Sequence, residues 1–311
     1  MIPSFPPREG QAGFLYLPPF RVQGISVAGE ETVVQVPELD VCFDIGLCPR
    51  IALPSPTVAL THAHMDHVGG LPYWFSQRAF QKLGPGRCVC HPETAPALAA
   101  MMRAWIDVEG QRTPHEIVPL APEAEIMLKN NIWLRAIEVS HTAPALGYAV
   151  IERRSKLRAE FRDLPQERIR ELKSRGEQIT QTVEIPLVAM TGDTEPGPFL
   201  FRDEFANAGI VITECTFFDA DHRSRARIGK HIHVEDLVGL FQAWRAPDVV
   251  LVHVSRRTTM AHARERIAAV LGDHAARAHL LMDHRTNRQR LERQAAEASV
   301  NEGAADAPAD G

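Results

Sequence analysis

Thr61-His62-Ala63-His64-Met65-Asp66-His67-Val68-Gly69-Gly70 is the stretch on which the reading of this chain turns. Four side chains able to bind a metal, His62, His64, Asp66 and His67, fall within six residues. The residues before them, Thr57-Val58-Ala59-Leu60-Thr61, have the β-branched, apolar character of a strand, and the Gly-Gly pair turns the chain afterwards. Side chains two apart on an extended strand exit share a side, so His62 and His64 project together. Imidazole and carboxylate in one loop suit zinc or a similar first-row ion. A loop that follows an apolar strand is where sites are built on a rigid scaffold.

One loop cannot supply two metals, so later polar residues at strand ends matter. His141 follows the strand-like run 134–139. Asp193 follows 185–190, and His253 ends 249–252. Any one of these is an ordinary strand-end residue. Their recurrence after apolar strands in four separate places points to a shared site. Asp193 is the candidate to bridge two ions, which at roughly 3.5–4 Å apart can generate hydroxide and clamp a phosphate or carbonyl centre.

Outward from these residues, β-branched runs at 24–28, 32–36, 41–45 and 57–61 read as adjacent strands. Further strands are expected at 132–139, 147–152, 186–191, 209–213 and 248–254. Helical spacing marks 70–83, 94–106, 234–245 and 260–271. Strands come first, then helices interleave in both halves. The expected fold is α/β, two sheets back to back with helices outside: a four-layer αββα sandwich.

Composition sets the bounds. The 311 residues are 45% hydrophobic and 23% charged, enough for a sizeable core. The 14 histidines outnumber the 3 tyrosines and 4 tryptophans together, a surplus suited to metal or proton chemistry. Five cysteines are too few and too oddly numbered for a disulfide framework. With no signal-peptide pattern and no long apolar run, a cytoplasmic protein without a membrane span is expected. The net charge of −5 creates no global field for nucleic acid. Residues 151–175, however, hold nine basic and five acidic residues, the pattern of a solvated amphipathic helix or a local phosphate-binding patch. The expected organisation is a proline-rich lead-in over 1–20, a single domain over 21–293 with a short basic insertion at 151–180, and a disordered acidic tail over 294–311.

The His-x-His-x-Asp-His loop followed by single His, Asp and His residues resembles the metallo-β-lactamase superfamily. Within it the chain resembles the ribonuclease Z family, in its short plant-type form, over roughly 22–257. The matching pieces are Phe43-Asp44-Ile45-Gly46-Leu47-Cys48-Pro49, 61–72, 141–148, 191–194, Thr213-Glu214-Cys215-Thr216-Phe217, Lys230-His231-Ile232-His233 and His253-Val254-Ser255-Arg256-Arg257. The resemblance implies a zinc-dependent endoribonuclease that removes the 3′ trailer of precursor tRNA by metal-hydroxide attack on a phosphodiester. It implies two divalent ions, zinc by preference: His62, His64 and His141 on one; Asp66, His67 and His253 on the other; Asp193 between them. Asp66 would also orient or deprotonate the attacking water. Asp44 would steady the histidine loop, and Glu214 would orient His231 as proton donor to the leaving oxygen. His233, two residues on, competes with His231 for that role. Residues 151–180 would stand for the family's tRNA-gripping arm, here reduced, and a homodimer is the assembly the resemblance suggests.

The sequence also departs from the family. Val254-Ser255-Arg256-Arg257-Thr258 replaces the usual Phe-Ser-Ser-Arg-Tyr, and Lys230 stands where glycine is usual. These departures bear on substrate more than on metal. The alternative is a hydrolase of the same fold acting on a small phosphodiester, a thioester or a lactone.

Overall fold

Runs of consecutive apolar residues become the central strands of two sheets, each covered on both faces. The computed structural model describes residues 12–305. The first sheet takes β1 (Gly13–Leu17), β2 (Phe20–Val27), β3 (Glu31–Val36), β4 (Val41–Phe43), β5 (Thr57–Ala59), β6 (Arg87–Cys90) and β7 (Glu116–Pro119) in sequence order. The second takes β8 (Glu125–Lys129), β9 (Ile132–Glu138), β10 (Leu146–Leu157), β11 (Thr180–Met190), β12 (Ile210–Glu214), β13 (Asp248–Val252) and β14 (Ala278–Leu280), also in order. In each sheet the first four strands are antiparallel and the last four run parallel. The two halves therefore repeat one plan that no sequence repeat announces.

The helices are α1 (Met65–Val68), α2 (Leu71–Phe80), α3 (Ala95–Glu109), α4 (Gln166–Ser174), α5 (Asp203–Ala206), α6 (Arg223–Gly229), α7 (Leu237–Ala243), α8 (Met260–Leu271) and α9 (His284–Ala305). β13 shows why the layers form. Val250 and Val252 face the other sheet, packing with Phe43, Ala59, Tyr148 and Ile212. Val249 and Leu251 face outward, onto Leu240, Phe241 and Trp244 around α7 and onto α8. Strands covered on both faces read as continuous valine and leucine runs. Leu71, Trp74 and Phe75 of α2, with Leu98 and Met102 of α3, cover the first sheet in the same way. The expected four-layer sandwich is what the chain adopts.

Three boundaries differ from the sequence expectation. Residues 1–20 are not all lead-in: Gly13–Leu17 forms a strand because Phe14, Leu15 and Leu17 are buried against the core and pair with β2. Residues 1–11 lie outside the described residues. The tail over 294–311 is not all disordered: α9 continues to Ala305, in a segment rich in alanine, glutamate and glutamine, which are good helix formers. Residues 306–311 lie outside the described part. Finally, 151–175 is not one amphipathic helix. β10 and β11 extend as an antiparallel pair out to Leu157 and Thr180. β9 pairs β10 only as far as Glu152, and β12 pairs β11 only from Val188. Beyond these points the pair stands as a two-stranded ribbon, with α4 at its tip. Arg153, Arg154 and Lys156 lie on β10 and Arg168, Arg170 and Lys173 on α4, so the basic residues are split between a strand and a helix, which a single helical count cannot anticipate.

Candidate metal centre

Every residue of the histidine-rich constellation lies at the carboxyl end of a strand, the usual place for sites in open α/β sheets. Asp44 follows β4, the 61–67 loop follows β5, and His141 follows β9. Asp193 follows β11, Glu214 ends β12 and His253 follows β13. Hydrogen bonds tie the two sheets together at this end. Leu146 N–H donates to the Thr61 carbonyl at 2.8 Å, the buried Tyr148 hydroxyl donates to the Leu60 carbonyl at 2.7 Å, and His253 N–H donates to Ser26 Oγ at 2.9 Å.

The 61–70 loop is anchored before its side chains are placed. Ile45 N–H donates to the His67 carbonyl at 2.7 Å, and Gly70 N–H returns to the Ile45 carbonyl at 3.0 Å. A Cβ on Gly70 would sit 2.5 Å from that carbonyl oxygen, so only glycine allows the approach. Gly192, at φ +63°, similarly lets the loop after β11 close on Thr61, whose Cβ would be 2.7 Å from an added methyl.

Ligand atoms converge in two groups. His62, His64 and His141 hold nitrogens within 4.8 Å of one another; so do the donors of Asp66, His67 and His253. Asp193 connects the groups. Its Oδ2 lies 3.2 Å from His253 Nε2, 3.3 Å from His67 Nε2 and 4.0 Å from His62 Nε2. The structure thus brings together all seven expected ligands.

The second nitrogens of these rings are committed elsewhere. His67 Nδ1–H donates to Asp44 Oδ2 at 2.8 Å. His62 Nδ1–H points to Thr61 Oγ1 at 3.1 Å, and that hydroxyl donates onward to Asp44. His141 Nδ1–H meets the Lys230 carbonyl at 3.1 Å. His253 Nδ1–H meets Thr216 Oγ1 at 2.9 Å, and Thr216 donates to Glu214 Oε2 at 2.7 Å. Each of these four rings is thereby held in the tautomer that turns its Nε2 toward the shared centre, as metal-binding histidines require. His64 instead turns Nδ1 inward, 2.9 Å from His62 Nε2 and 3.3 Å from His141 Nε2. His67 Nε2 is buried and has no hydrogen-bond partner. A buried ring nitrogen left in this way, facing a carboxylate among several bare imidazoles, fits a cation.

The electrostatics agree. Burial alone would raise the Asp193 carboxyl, but His253 and His67 outweigh it and hold the group well below the usual carboxylate range. Burial chiefly, with help from His67, pushes His62 well below the ordinary imidazole value, so it is a neutral donor. Burial opposes a charge on His67 too, yet Asp193 and Asp44 raise it well above normal. The field that favours a proton there favours a metal cation equally.

Beside the ligands stands a second pair. His231 Nδ1 is 2.9 Å from Glu214 Oε1, which also accepts Thr194 N–H at 2.9 Å. Burial works against a charged His231, but Glu214 prevails and raises it to about 9. Its ring stacks on His253 at 5.3 Å. His233 is elsewhere: it caps the turn at 234–236 and meets the Asp219 carbonyl at 3.0 Å. The choice between the two histidines falls to His231 on geometry.

Residues 48–254 match the model of the β-lactamase superfamily domain. Over 251 residues the chain is 32% identical to a chloroplastic tRNase Z of Arabidopsis thaliana, covering 80% of this chain and 71% of that protein. The chain belongs to the ribonuclease Z family. A second Arabidopsis tRNase Z is 28% identical over 255 residues, covering 81% of this chain and 91% of its own length. In fold, the chain resembles the short form of human tRNase Z, with a TM-score of 0.54 at 15% identity over 88% of this chain and 97% of the other. As a member of this family and fold, the protein is a metal-dependent hydrolase. No helix among the described residues is long and apolar enough to cross a membrane.

Three supporting residues carried no metal-site role in the sequence: Thr61, Thr216 and Ser26. Hydroxyls that fix a ring tautomer or hold a strand-end amide leave no spacing signature. Asp44, whose role the resemblance implied, accepts three hydrogen bonds, from Thr61 N–H at 2.7 Å, Thr61 Oγ1 at 2.8 Å and His67. Asp44→Asn would turn an acceptor toward His67 into a donor. A loss of metal affinity of about 10–100-fold is expected, read by competition with a chromophoric chelator. Unchanged affinity would remove Asp44 from the centre.

Proposed function

We propose that this protein is a two-zinc endoribonuclease that cuts the 3′ trailer from precursor tRNA. His62, His64 and His141 would hold one ion, Asp66, His67 and His253 the other, and Asp193 would contact both. Bound there, the ions supply charge that lowers the pKa of water and neutralises a phosphate. Asp66, steadied by Gly29 N–H at 2.9 Å from its Oδ2, accepts a proton from the attacking water. His231 uses Nδ1 for Glu214, so its Nε2 donates to the departing 3′-oxygen.

The observation that carries this reading is the Glu214–His231 pair, with His231 Nδ1 only 3.9 Å from the shared Asp193 carboxylate. A proton donor held charged beside a metal cluster suits a poor alkoxide leaving group. The relatives named tRNase Z supply the substrate class. The test is incubation with a precursor tRNA carrying a 3′ trailer, with and without chelator. A chelator-sensitive cut just after the discriminator nucleotide is expected, and its absence would refute the assignment.

The arm bears on affinity. Arg153 pairs with Glu184 and Glu125 at 2.7 and 2.6 Å, Arg154 with Glu152 at 2.6 Å and Arg158 with Glu160 at 3.0 Å; Arg168 and Arg175 both pair with Glu171. Lys156, Arg162, Arg170 and Lys173 are exposed and have no ion pair among the described residues. These four are the phosphate-binding candidates. Replacing all four with alanine should weaken precursor-tRNA binding. It should also flatten the salt dependence, by about 0.7–0.9 in log–log slope for each phosphate no longer neutralised. Binding titrations at several salt concentrations check this. The pairing of five arm cations gives weight to a second reading, a small phosphodiester substrate. That reading gains if the quadruple variant cleaves bis(p-nitrophenyl) phosphate normally while neither protein cuts RNA.

A further inference from the structure

His231 also lines a cavity of about 440 Å³, together with Glu195, Arg223, Ala226, Arg227 and Asp236. Its charges are mostly spoken for. Glu195 faces Lys230 Nζ at 3.1 Å and accepts the Ser140 hydroxyl at 2.5 Å. Asp236 accepts His233 N–H at 3.0 Å and faces Arg223 at 3.3 Å, and Arg223 also pairs with Glu235. The guanidinium of Arg227 has no ion pair or hydrogen bond among the described residues. It is the uncompensated charge of a cavity that shares a wall with the proton donor.

Helical geometry selects Arg227 over its neighbours. Arg223 and Arg227 are four apart on α6, so they share a face, and both line the cavity. Arg225 lies between them on the other side of the helix; it is exposed and does not line the cavity. Ala226 is buried beneath, fixing how α6 sits. Lys230 is at φ +53° and ends the helix, with its ammonium bound to Ser140 and Glu195, so it does not compete for the same anion.

We propose that this cavity is an anion subsite in which Arg227 grips a backbone phosphate of the substrate strand that carries the leaving 3′-oxygen. The inference rests on the endoribonuclease reading, in which His231 protonates that oxygen: the nucleotide bearing it must then run past His231, and the cavity is what it meets. A planar guanidinium with no partner in the protein presents a two-pronged donor fork to phosphate oxygens. No covalent step is involved. The subsite positions the polynucleotide and contributes nothing to a substrate with a single phosphate.

The experiment compares Arg227→Ala with Arg225→Ala in the metal-loaded full chain. Both remove one exposed positive charge from the same helix, two residues apart. With precursor tRNA, Arg227→Ala should raise KM about ten-fold, the size expected for one charge-assisted hydrogen bond, and lower the salt slope by about 1. Turnover of bis(p-nitrophenyl) phosphate should be unchanged, which also reports that the variant is folded and loaded. Arg225→Ala should leave KM within about two-fold of the parent. Arg227→Lys should recover part of the loss. Equal effects of the two alanine variants on RNA would overturn the subsite and leave the endoribonuclease reading intact. A parent protein that hydrolyses bis(p-nitrophenyl) phosphate but cuts no RNA would overturn both.

Discussion

Asp193→Ala is expected to abolish hydrolysis and to release metal from both ligand groups at once. The carboxylate Oδ2 sits within 4.0 Å of ring nitrogens belonging to each group, which places one oxygen between them. Without it, Asp66 is the one ligand carboxylate left to offset a pair of dications, and it lies with His67 and His253 in a single group. Loss of metal-derived stabilisation amounts to several kcal/mol of barrier, or a rate decrease of roughly 10³-fold or more. Metal content per chain by elemental analysis, alongside turnover, is the measurement. Retention of a full metal complement in Asp193→Ala would rule out its place between the ions.

His231→Ala is expected to separate chemistry from metal binding. Its ring is held by Glu214, not by the ligand set, so metal content should match the parent. The rate of cutting should fall by about 10²–10⁴-fold, the usual worth of a positioned proton donor. The pH profile carries a sign. Glu214 raises His231 to about 9, so the donating form is present at neutral pH and is lost as pH rises through about 9. The parent rate should therefore decline at high pH, and Glu214→Gln should move that decline to lower pH. A His231→Ala protein with an unaltered rate, or one that loses metal in step with activity, would exclude the proton-donor role.

His62, His64, Asp66 and His67 were legible in the sequence because ligand types packed into one loop are rarely coincidental. His141, Asp193 and His253 were legible because each follows an apolar strand. The strands themselves were read less evenly. β6, β7, β8 and β14 are three to five residues long, too short to show a period. β1 and the arm ribbon were misread because prolines and arginines suggested a loose lead-in and a helix. Pairing with β2 and continuation of the β10–β11 ladder overrode those local signals. Thr216 had no metal-site role in the sequence, yet its hydroxyl links His253 to Glu214.

By itself, then, the amino-acid order determined which residue types stand at strand ends and that two sheets with outer helices would bury the valine-rich runs. Both follow from periodicity and burial, which act over a few residues. Only the tertiary structure decided that Asp193 sits between two ligand groups, that His231 and not His233 faces Glu214, and that Arg227 is left without a counter-charge. Those facts depend on distances between segments 15 to nearly 190 residues apart, as between Asp66 and His253. Such distances are set by how the sheets pack and how the loops close over them, which no local pattern records.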